Sequence, residues 1–347
     1  MGDGASRHGR LMALLRRRPR PHAVPNAPRV AAAASAPGDA DALLRRLEWT
    51  VLRRLDGMLQ GNVRTLMRGS GLDLADLREY QVHDDVRHID WNVTARLDAP
   101  HVRVFTEDRE MSAWFLLDLS ASVDFGSGQR RKREVLAEFV AVLARLLTRH
   151  GNRVGALLYG TGVERVIPPG ASRAHVLRLL HAIGQRAQAP AAGPPTTTRL
   201  ADLLATAGRL IRRRSTLFVV SDFISAPGWE RPLGQLALRH EVLAVRLFDP
   251  LERELPDLGL LTLRDAESGE QLLVDTHDAG FRARFARLAA EREHALRETL
   301  AHAGVDALEL STADDLVDAV VRFTELRKHR TRLAAGGGLP AHLRQAG

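Results

Sequence analysis

The chain has 347 residues, 45% of them hydrophobic, and it contains no cysteine. This length and composition suit a globular protein with a sizeable core, and the lack of cysteine excludes disulfides, thiolate metal sites and cysteine nucleophiles. The 50 basic and 42 acidic residues give a net charge of +8 spread along the chain, and aromatic residues make up only 5%. Nucleic-acid binding usually needs concentrated cations with aromatic residues between them, so this composition is a weak argument for it.

The first 38 residues contain the arginine-rich stretch RRRPRPH, followed by a segment rich in proline and alanine. Such a composition is typical of a disordered leader, and a targeting or tethering tail is the alternative. No apolar run approaches the roughly 20 residues that a membrane-spanning helix needs. The sequence therefore predicts a soluble, cytoplasmic protein with no membrane span, in which residues 1–38 form a disordered basic leader.

A helix and an irregular polar segment are predicted for residues 39–109. LLRRLEWTVLRRLDGML repeats apolar residues at spacings of three and four, which predicts a helix that packs on the rest of the chain. From Gly69 to about Arg109 the residues are mostly polar, and only HVRVFT alternates like a strand. Long irregular segments inside compact proteins often carry function.

Apolar strands alternate with amphipathic helices in residues 110–330. WFLLDLS, VGALLY, TLFVVSDF and EVLAVRLF have the short apolar runs of buried strands. The helices between them are RKREVLAEFVAVLARLLTRHG, which ends at Gly151, then SRAHVLRLLHAIG and TRLADLLATAGRLIRRR. This alternation predicts an α/β fold with a doubly wound, mostly parallel sheet covered on both faces. A hairpin turning at Ser268 and Gly269, then a helix, a strand and a helix, complete the domain, and residues 331–347 form a C-terminal tail.

Polar residues stand at the predicted carboxyl ends of two strands and in a loop before a helix, which is where ligands bind in doubly wound sheets. The carboxylates and hydroxyls in question belong to Asp118, Ser120, Ser122, Asp222, Thr196, Thr197 and Thr198. A set of oxygen donors without histidine or thiolate suits Mg²⁺ or Mn²⁺ better than zinc or copper. A cation held mainly by neutral hydroxyls keeps positive charge and attracts a carboxylate from a partner. The structural alternative is a strand-end turn whose serines cap the next helix.

The pattern D-L-S-A-S, followed by T-R-L and by an apolar strand ending in Ser-Asp, resembles the metal-ion-dependent adhesion site of von Willebrand factor type A domains. This resemblance implies that Asp118, Ser120 and Ser122 form the first loop of a metal site and that Asp222 belongs to its third loop. Thr198 is the best match to the second-loop threonine.

Two further stretches, REYQVHDDVRHIDWNVTAR at residues 78–96 and DPLERELPDLGLLTLRDAESGE, resemble the bacterial family called domain of unknown function 58. The resemblance runs from about Gly69 to the final helix and implies a von Willebrand factor A-like domain with an N-terminal α/β extension. His83 departs from the pattern, since the family usually has glycine there. Members are commonly encoded beside MoxR-type AAA+ ATPases, which implies a protein partner of that class.

Charged residues surround a tryptophan within residues 78–96. The candidates for partner binding there are Arg78, Glu79, Tyr80, Asp84, Asp85, Arg87, Asp90, Trp91 and Arg96. These residues fit either a buried ion-pair network or a surface that docks a partner. The run QRRKRE at residues 129–134 is interpreted as a solvated basic face, whose charge would also favour an acidic partner.

The leading functional hypothesis is a non-catalytic, metal-dependent protein-binding adaptor that works with a MoxR-type AAA+ ATPase in complex assembly or remodelling. Its cofactor would be Mg²⁺ or Mn²⁺, and its partner would supply an acidic side chain. A Mg²⁺-dependent hydrolase or phosphatase using Asp118 is the first alternative, although Ser120 stands where haloacid-dehalogenase-like phosphatases have their general acid. A nucleic-acid-binding protein is the second alternative; it rests on net charge alone and predicts steep salt dependence.

Overall fold

The computed structural model describes residues 37–48, 51, 73–81, 84, 86, 89–97, 99–106, 112–188, 197–267 and 269–334. The strands in these ranges are β1 (Asp73–Glu79), β2 (His101–Thr106), β3 (Ser112–Asp118), β4 (Arg153–Tyr159), β5 (Val163–Gly170), β6 (Thr216–Ser221), β7 (Glu241–Phe248), β8 (Leu260–Arg264), β9 (Gln271–Asp275) and β10 (Asp306–Ser311). The helices are α1 (Pro37–Leu47), α2 (Trp91–Leu97), α3 (Lys132–Arg149), α4 (Arg173–Gln188), α5 (Leu200–Leu210), α6 (Glu230–Ala237), α7 (Ala279–His302) and α8 (Leu316–Ala334). The predicted leader and tail lie outside the described residues, apart from the first turn of α1 and the last turn of α8.

Six strands form one sheet in the order β10-β7-β6-β3-β4-β5. All neighbouring pairs are parallel except β4 with β5, which is antiparallel. Alternate residues of each strand point to opposite faces of the sheet. Both faces are apolar, and helices cover each of them. The predicted doubly wound, mostly parallel α/β sheet is therefore confirmed.

The central strand β3 shows how its sequence fills two cores. Phe115 and Leu117 pack in the larger core with residues of α1, α3, α4 and α8, whereas Trp114 and Leu116 pack in the other with residues of α5 and α6. Phe115 also stacks on Phe218 of β6, with ring centroids 5.3 Å apart. Burial of these side chains fixes the strand register, since a slip of one residue would exchange the two faces.

The N-terminal helix α1 belongs to the larger core. Leu44 and Leu47 are buried against α3 and α4. The adjoining Glu48 accepts a 2.6 Å bond from Arg145 of α3. The predicted packing is confirmed for the first part of this helix; α1 ends at Leu47, and residues 49, 50 and 52–72 lie outside the described part of the chain.

Besides the helix α2, which lies in the segment predicted to be irregular, three elements were not predicted. The first, β1, has the polar sequence DLADLRE and pairs antiparallel with β2, so part of the segment predicted to be irregular is a hairpin. The second, β5, contains two prolines and lies at the sheet edge, where proline is tolerated because one side needs no partner. The third is the short helix α6. The predicted hairpin is present as β8 and β9, and Gly269 has the positive φ of 71° that its turn requires.

Candidate metal-ion site at the ends of strands β3 and β6

The candidate site lies where the winding of the sheet reverses. Strand β3 has β4 on one side and β6 on the other, so the connections leaving β3 and β6 diverge and open a crevice at their carboxyl ends. Asp118 is the last residue of β3, and Asp222 directly follows β6. The hydroxyl of Ser221 donates a 2.7 Å hydrogen bond to Asp118 Oδ2. The first and third predicted loops therefore meet.

The first loop presents a carboxylate with two hydroxyls. Asp118 Oδ1 accepts a 3.0 Å bond from the backbone N–H of Ser120, and the hydroxyl oxygens of Ser120 and Ser122 are 3.1 Å apart. All three side chains are buried. A 3₁₀ helix, Ala121–Asp124, begins after Ser120, whose side chain makes no capping bond. The alternative in which this serine caps a helix is therefore wrong.

Burial dominates the electrostatics of Asp118, which has no exposed surface. Burial and, to a lesser extent, the charge of Asp222 together raise the pKa of Asp118 from 3.8 to about 6, against the opposing effect of the bonds from Ser221 and Ser120. A nearby positive charge would stabilise the ionised form of this buried carboxylate.

A lysine pairs with the other predicted carboxylate. Lys132 Nζ lies 2.8 Å from Asp222 Oδ2 and 2.6 Å from Glu252 Oε1, and the lysine is only 1% exposed. Burial alone would raise the pKa of Asp222, but the Lys132 ammonium holds it below its usual value. Likewise, burial would lower the pKa of Lys132, and the two carboxylates raise it instead.

This pairing corrects the interpretation of QRRKRE as a solvated face. Arg131 and Glu134 are exposed, but Lys132 and Arg133 are buried because they sit on the side of α3 that faces the strand ends. Arg133 pairs with Asp124 at 2.8 Å. Two of the cations thus serve contacts inside the protein.

The second predicted loop contains Thr198. Of the three candidate threonines, Thr198 is buried, Thr197 is exposed and Thr196 lies outside the described residues. The loop is tied down because the backbone carbonyl of Thr198 accepts a 2.8 Å bond from the N–H of Ala226. The hydroxyl of Thr198 donates to Glu267, which also accepts a 3.1 Å bond from the Thr198 N–H.

The backbone beside Asp222 is strained. Phe223 has a φ of 57°, a conformation that is uncommon for a residue with a bulky side chain. It is held there by a 2.9 Å bond from its N–H to Ser221 Oγ and by ring contact with Trp229. Asp222 Oδ1 meanwhile accepts a 2.9 Å bond from the N–H of Ile224. Strained residues that are held in this way often occur at functional sites.

The donor chemistry fits a hard cation. The three loops offer oxygen donors, and the carboxylate of Asp118 is buried without an ammonium bonded to it in the described structure. When bound, Mg²⁺ supplies positive charge and exchangeable coordination positions. Asp118, Ser120, Ser122 and Thr198 would be its holders, and Asp222 would act with Lys132 beside them.

Sequence reasoning missed several participants: Lys132, Ser221, Glu252 and Glu267. Ser221 could have been found, because it stands in the quoted Ser-Asp pair. The other three come from distant segments, and no local pattern marks them.

Comparison with known proteins places the chain in a family. Residues 76–295 match the family model described as "Protein of unknown function DUF58". The chain belongs to this family. An uncharacterized protein of Mycobacterium tuberculosis is 39% identical over 287 residues, which cover 83% of this DUF58 chain and 89% of the relative. An uncharacterized protein of Mycobacterium avium is 41% identical over 117 residues, covering 34% and 69%.

Solved structures similar to this DUF58 chain include von Willebrand factor A domains. The conserved hypothetical protein BatB from Bacteroides thetaiotaomicron has a TM-score of 0.39 at 14% identity, covering 63% of this chain and 99% of that one. The SpRpn10 VWA domain has a TM-score of 0.36 at 13% identity, covering 61% and 94%. Manganese-loaded TRAP protein from Plasmodium vivax has a TM-score of 0.32 at 14% identity, covering 40% and 57%.

The DUF58 segment around Trp91 is partly at the surface. Trp91 is 70% exposed, and Glu79 and Arg96 are exposed as well. Asp90 is buried, and its Oδ1 caps α2 by accepting a 3.0 Å bond from the N–H of Asn92. Tyr80 and Asp84 are half-buried, while His83, Asp85, Arg87 and the side chain of Arg78 lie outside the described residues. Because several of these side chains lie outside the described part of the chain, the ion-pair network and the docking surface both stay predictions.

No helix in the described part of this DUF58 chain is long and apolar enough to cross a membrane.

Proposed function

We propose that this DUF58 protein is a non-catalytic adaptor that binds a protein partner through a divalent cation, Mg²⁺ or Mn²⁺, at the ends of β3 and β6. The observation that carries the proposal is the buried group of Asp118, Ser120 and Ser122, in which two hydroxyl oxygens lie 3.1 Å apart beside a carboxylate. Ser221 from the neighbouring strand orients that carboxylate. Such an arrangement presents several oxygens to one point, which is what a hard cation needs.

The charges favour an acidic partner. The Lys132 ammonium already neutralises the charge of Asp222. Asp118 is therefore the main carboxylate that the three predicted loops offer to a metal ion. A divalent ion held by one carboxylate and several neutral hydroxyls keeps positive charge, and an Asp or Glu of a partner would complete its coordination.

The partner is proposed to be an AAA+ ATPase of the MoxR type, acting in the cytoplasm on the assembly or remodelling of a complex. Support comes from the DUF58 family match and from the resemblance of residues 78–96 to the family segment. The exposed Trp91 offers a second contact area, because exposed aromatic residues often anchor protein interfaces.

A phosphatase or hydrolase using Asp118 is less well supported. Ser120 cannot act as a general acid near neutral pH in the way a carboxylic acid does. Lys132, the cation that could otherwise neutralise a phosphate, is 1% exposed and bonded to two carboxylates. A catalytic role would therefore require both bonds to break.

Calorimetric titration of Mn²⁺ and Mg²⁺ into the wild type and Asp118→Asn tests the cation site. Asparagine keeps the shape of the buried side chain, and Asp124→Asn is the matched control because Asp124 lies in the same loop but pairs with Arg133. We expect saturable binding in the wild type and the control, and loss of binding in a folded Asp118→Asn variant. Equal binding by all three proteins would place the cation elsewhere, and no binding by the wild type would overturn metal dependence.

A pull-down with the purified AAA+ ATPase then tests the partner. Retention of the ATPase in Mg²⁺ and its loss in EDTA are expected for the wild type, with no retention by Asp118→Asn. Retention that is unchanged by EDTA would contradict a cation bridge between the two proteins.

A further inference from the structure

The hairpin of β8 and β9 places a carboxylate against Thr198, the candidate ligand of the second loop. Glu267 stands at the turn of this hairpin, yet its carboxylate accepts bonds from the hydroxyl and the N–H of Thr198, which is 69 residues away in sequence. Both carboxylate oxygens take part in this contact. This contact holds the turn of the hairpin against the second predicted loop.

The turn itself holds Glu267 in place. The N–H of Glu267 donates a 2.9 Å bond to Asp265 Oδ1, and the N–H of Gly269 donates a 3.0 Å bond to the carbonyl of Asp265. At the other end of the hairpin unit, Val274 packs with Leu255 and Phe281 in a small core of its own. The hairpin is thus a structured arm that carries one carboxylate to Thr198.

The position of this carboxylate matches that of a neighbouring ligand. Adjacent oxygens around Mg²⁺ at about 2.1 Å lie about 3 Å from each other, which is also a hydrogen-bonding distance. An oxygen that accepts the Thr198 hydroxyl therefore has the spacing of a second ligand beside that hydroxyl. Asp222 also lies close enough to Glu267 for their charges to repel.

We propose that Glu267 is an internal carboxylate ligand of the cation site and occupies the position that a partner's acidic side chain would take. This inference rests on the proposed function. It makes the hairpin a built-in competitor, so that a partner binds only when Glu267 leaves.

A charge count supports the competition. The described contacts of the site include four carboxylates, those of Asp118, Asp222, Glu252 and Glu267, and one ammonium, that of Lys132, which is bonded to Asp222 and Glu252. When a divalent cation is bound and Glu267 stays in contact with Thr198, the site keeps a net negative charge and repels an acidic partner. Withdrawal of Glu267 removes that excess, and an incoming carboxylate then restores the same balance.

The test uses Mn²⁺ as the metal probe and acetate as the carboxylate probe. Glu267→Gln keeps an acceptor for Thr198 but removes the charge, and Glu270→Gln removes one charge from the same hairpin at an exposed position. Relaxation of water protons reports Mn²⁺ binding, and relaxation of acetate methyl protons by bound Mn²⁺ reports access of an outside carboxylate. Melting curves establish that each variant is folded. If Glu267→Gln does not fold, Glu267→Asp, which shortens the side chain by one methylene, replaces it.

We expect Glu267→Gln to weaken Mn²⁺ binding about tenfold. At saturating Mn²⁺, its acetate relaxation should rise severalfold above the wild type, and Glu270→Gln should match the wild type in both measurements. If Glu267→Gln and the wild type bind Mn²⁺ equally and relax acetate equally, the inference is overturned while the cation site stands. If the wild type binds no Mn²⁺, the proposed function and this inference both fall.

Discussion

The ammonium of Lys132 lies 2.8 Å from Asp222 Oδ2, and neither side chain is more than 1% exposed. The pair joins the start of α3 to the loop after β6. A lysine ammonium is therefore a permanent part of a site whose sequence pattern suggests an exchangeable metal ion. The structure thereby distinguishes the two predicted carboxylates: among the described residues, Asp222 is paired with the ammonium of Lys132, and Asp118 is bonded to no cationic side chain.

Lys132→Met should strongly destabilise the protein. The change leaves Asp222 and Glu252 without their common cation, and breaking a buried ion pair by removing one partner costs about 3–5 kcal/mol. Urea denaturation at pH 7 measures the difference. Arg214→Met, which removes a charge from an exposed position, is the control and should change the free energy of unfolding by less than about 0.5 kcal/mol. A loss below 1 kcal/mol for Lys132→Met would show that the pair adds little.

The raised pKa of Asp118 predicts a pH-dependent stability. Because the pKa rises from 3.8 in the unfolded chain to about 6 in the folded one, the folded state binds more protons between these values, and stability falls as pH increases through that window. Asp118→Asn cannot ionise, so its stability relative to the wild type should grow over the same window, by up to about 3 kcal/mol.

Urea denaturation of both proteins at several pH values between 4 and 7.5 checks this difference. Saturating Mg²⁺ should reduce it, since a bound cation favours the ionised carboxylate. A difference that stays constant with pH would mean that Asp118 ionises normally in the folded protein.

Thr198 and Thr197 should differ in their effect on cation binding. Thr198→Val keeps the side-chain shape but removes the hydroxyl that points towards Glu267, so Mn²⁺ affinity should fall about tenfold. Thr197 is exposed, and Thr197→Val should leave the affinity unchanged. Calorimetry with Mn²⁺ distinguishes them, and equal losses in both variants would point to a general change in the loop.

Trp91 should matter for partner binding and not for stability. Its side chain is 70% exposed, so Trp91→Ala should change the free energy of unfolding by less than about 0.5 kcal/mol. Truncation of an aromatic anchor at an interface commonly costs about 2 kcal/mol or more, which would weaken ATPase binding at least about tenfold. Leu238→Ala, at an 88% exposed apolar position, is the control. Unchanged ATPase affinity in Trp91→Ala would exclude this face as the docking surface.

The sequence predicted the central sheet because β3, β4, β6 and β7 are continuous apolar runs that only a buried position explains. β1 escaped prediction because aspartate and glutamate are rare in strands, and here pairing with β2 overrides that preference. The strand-end residues Asp118 and Asp222 were predictable from topology. Lys132 and Glu267 were not, because they contact residues 90 and 69 positions away through packing that no local pattern encodes.

The packing of α1 on α3 and α4 determines which residues a minimal folding unit must contain. A shortened protein that begins at residue 110, the predicted start of the von Willebrand factor A-like domain, would lack Leu44 and Leu47 and would uncover the apolar surface beneath them. Such a fragment should self-associate or bind hydrophobic dyes, whereas one that begins at Pro37 keeps the surface covered. The helix that precedes the family segment therefore belongs to the folding unit of the domain that follows it.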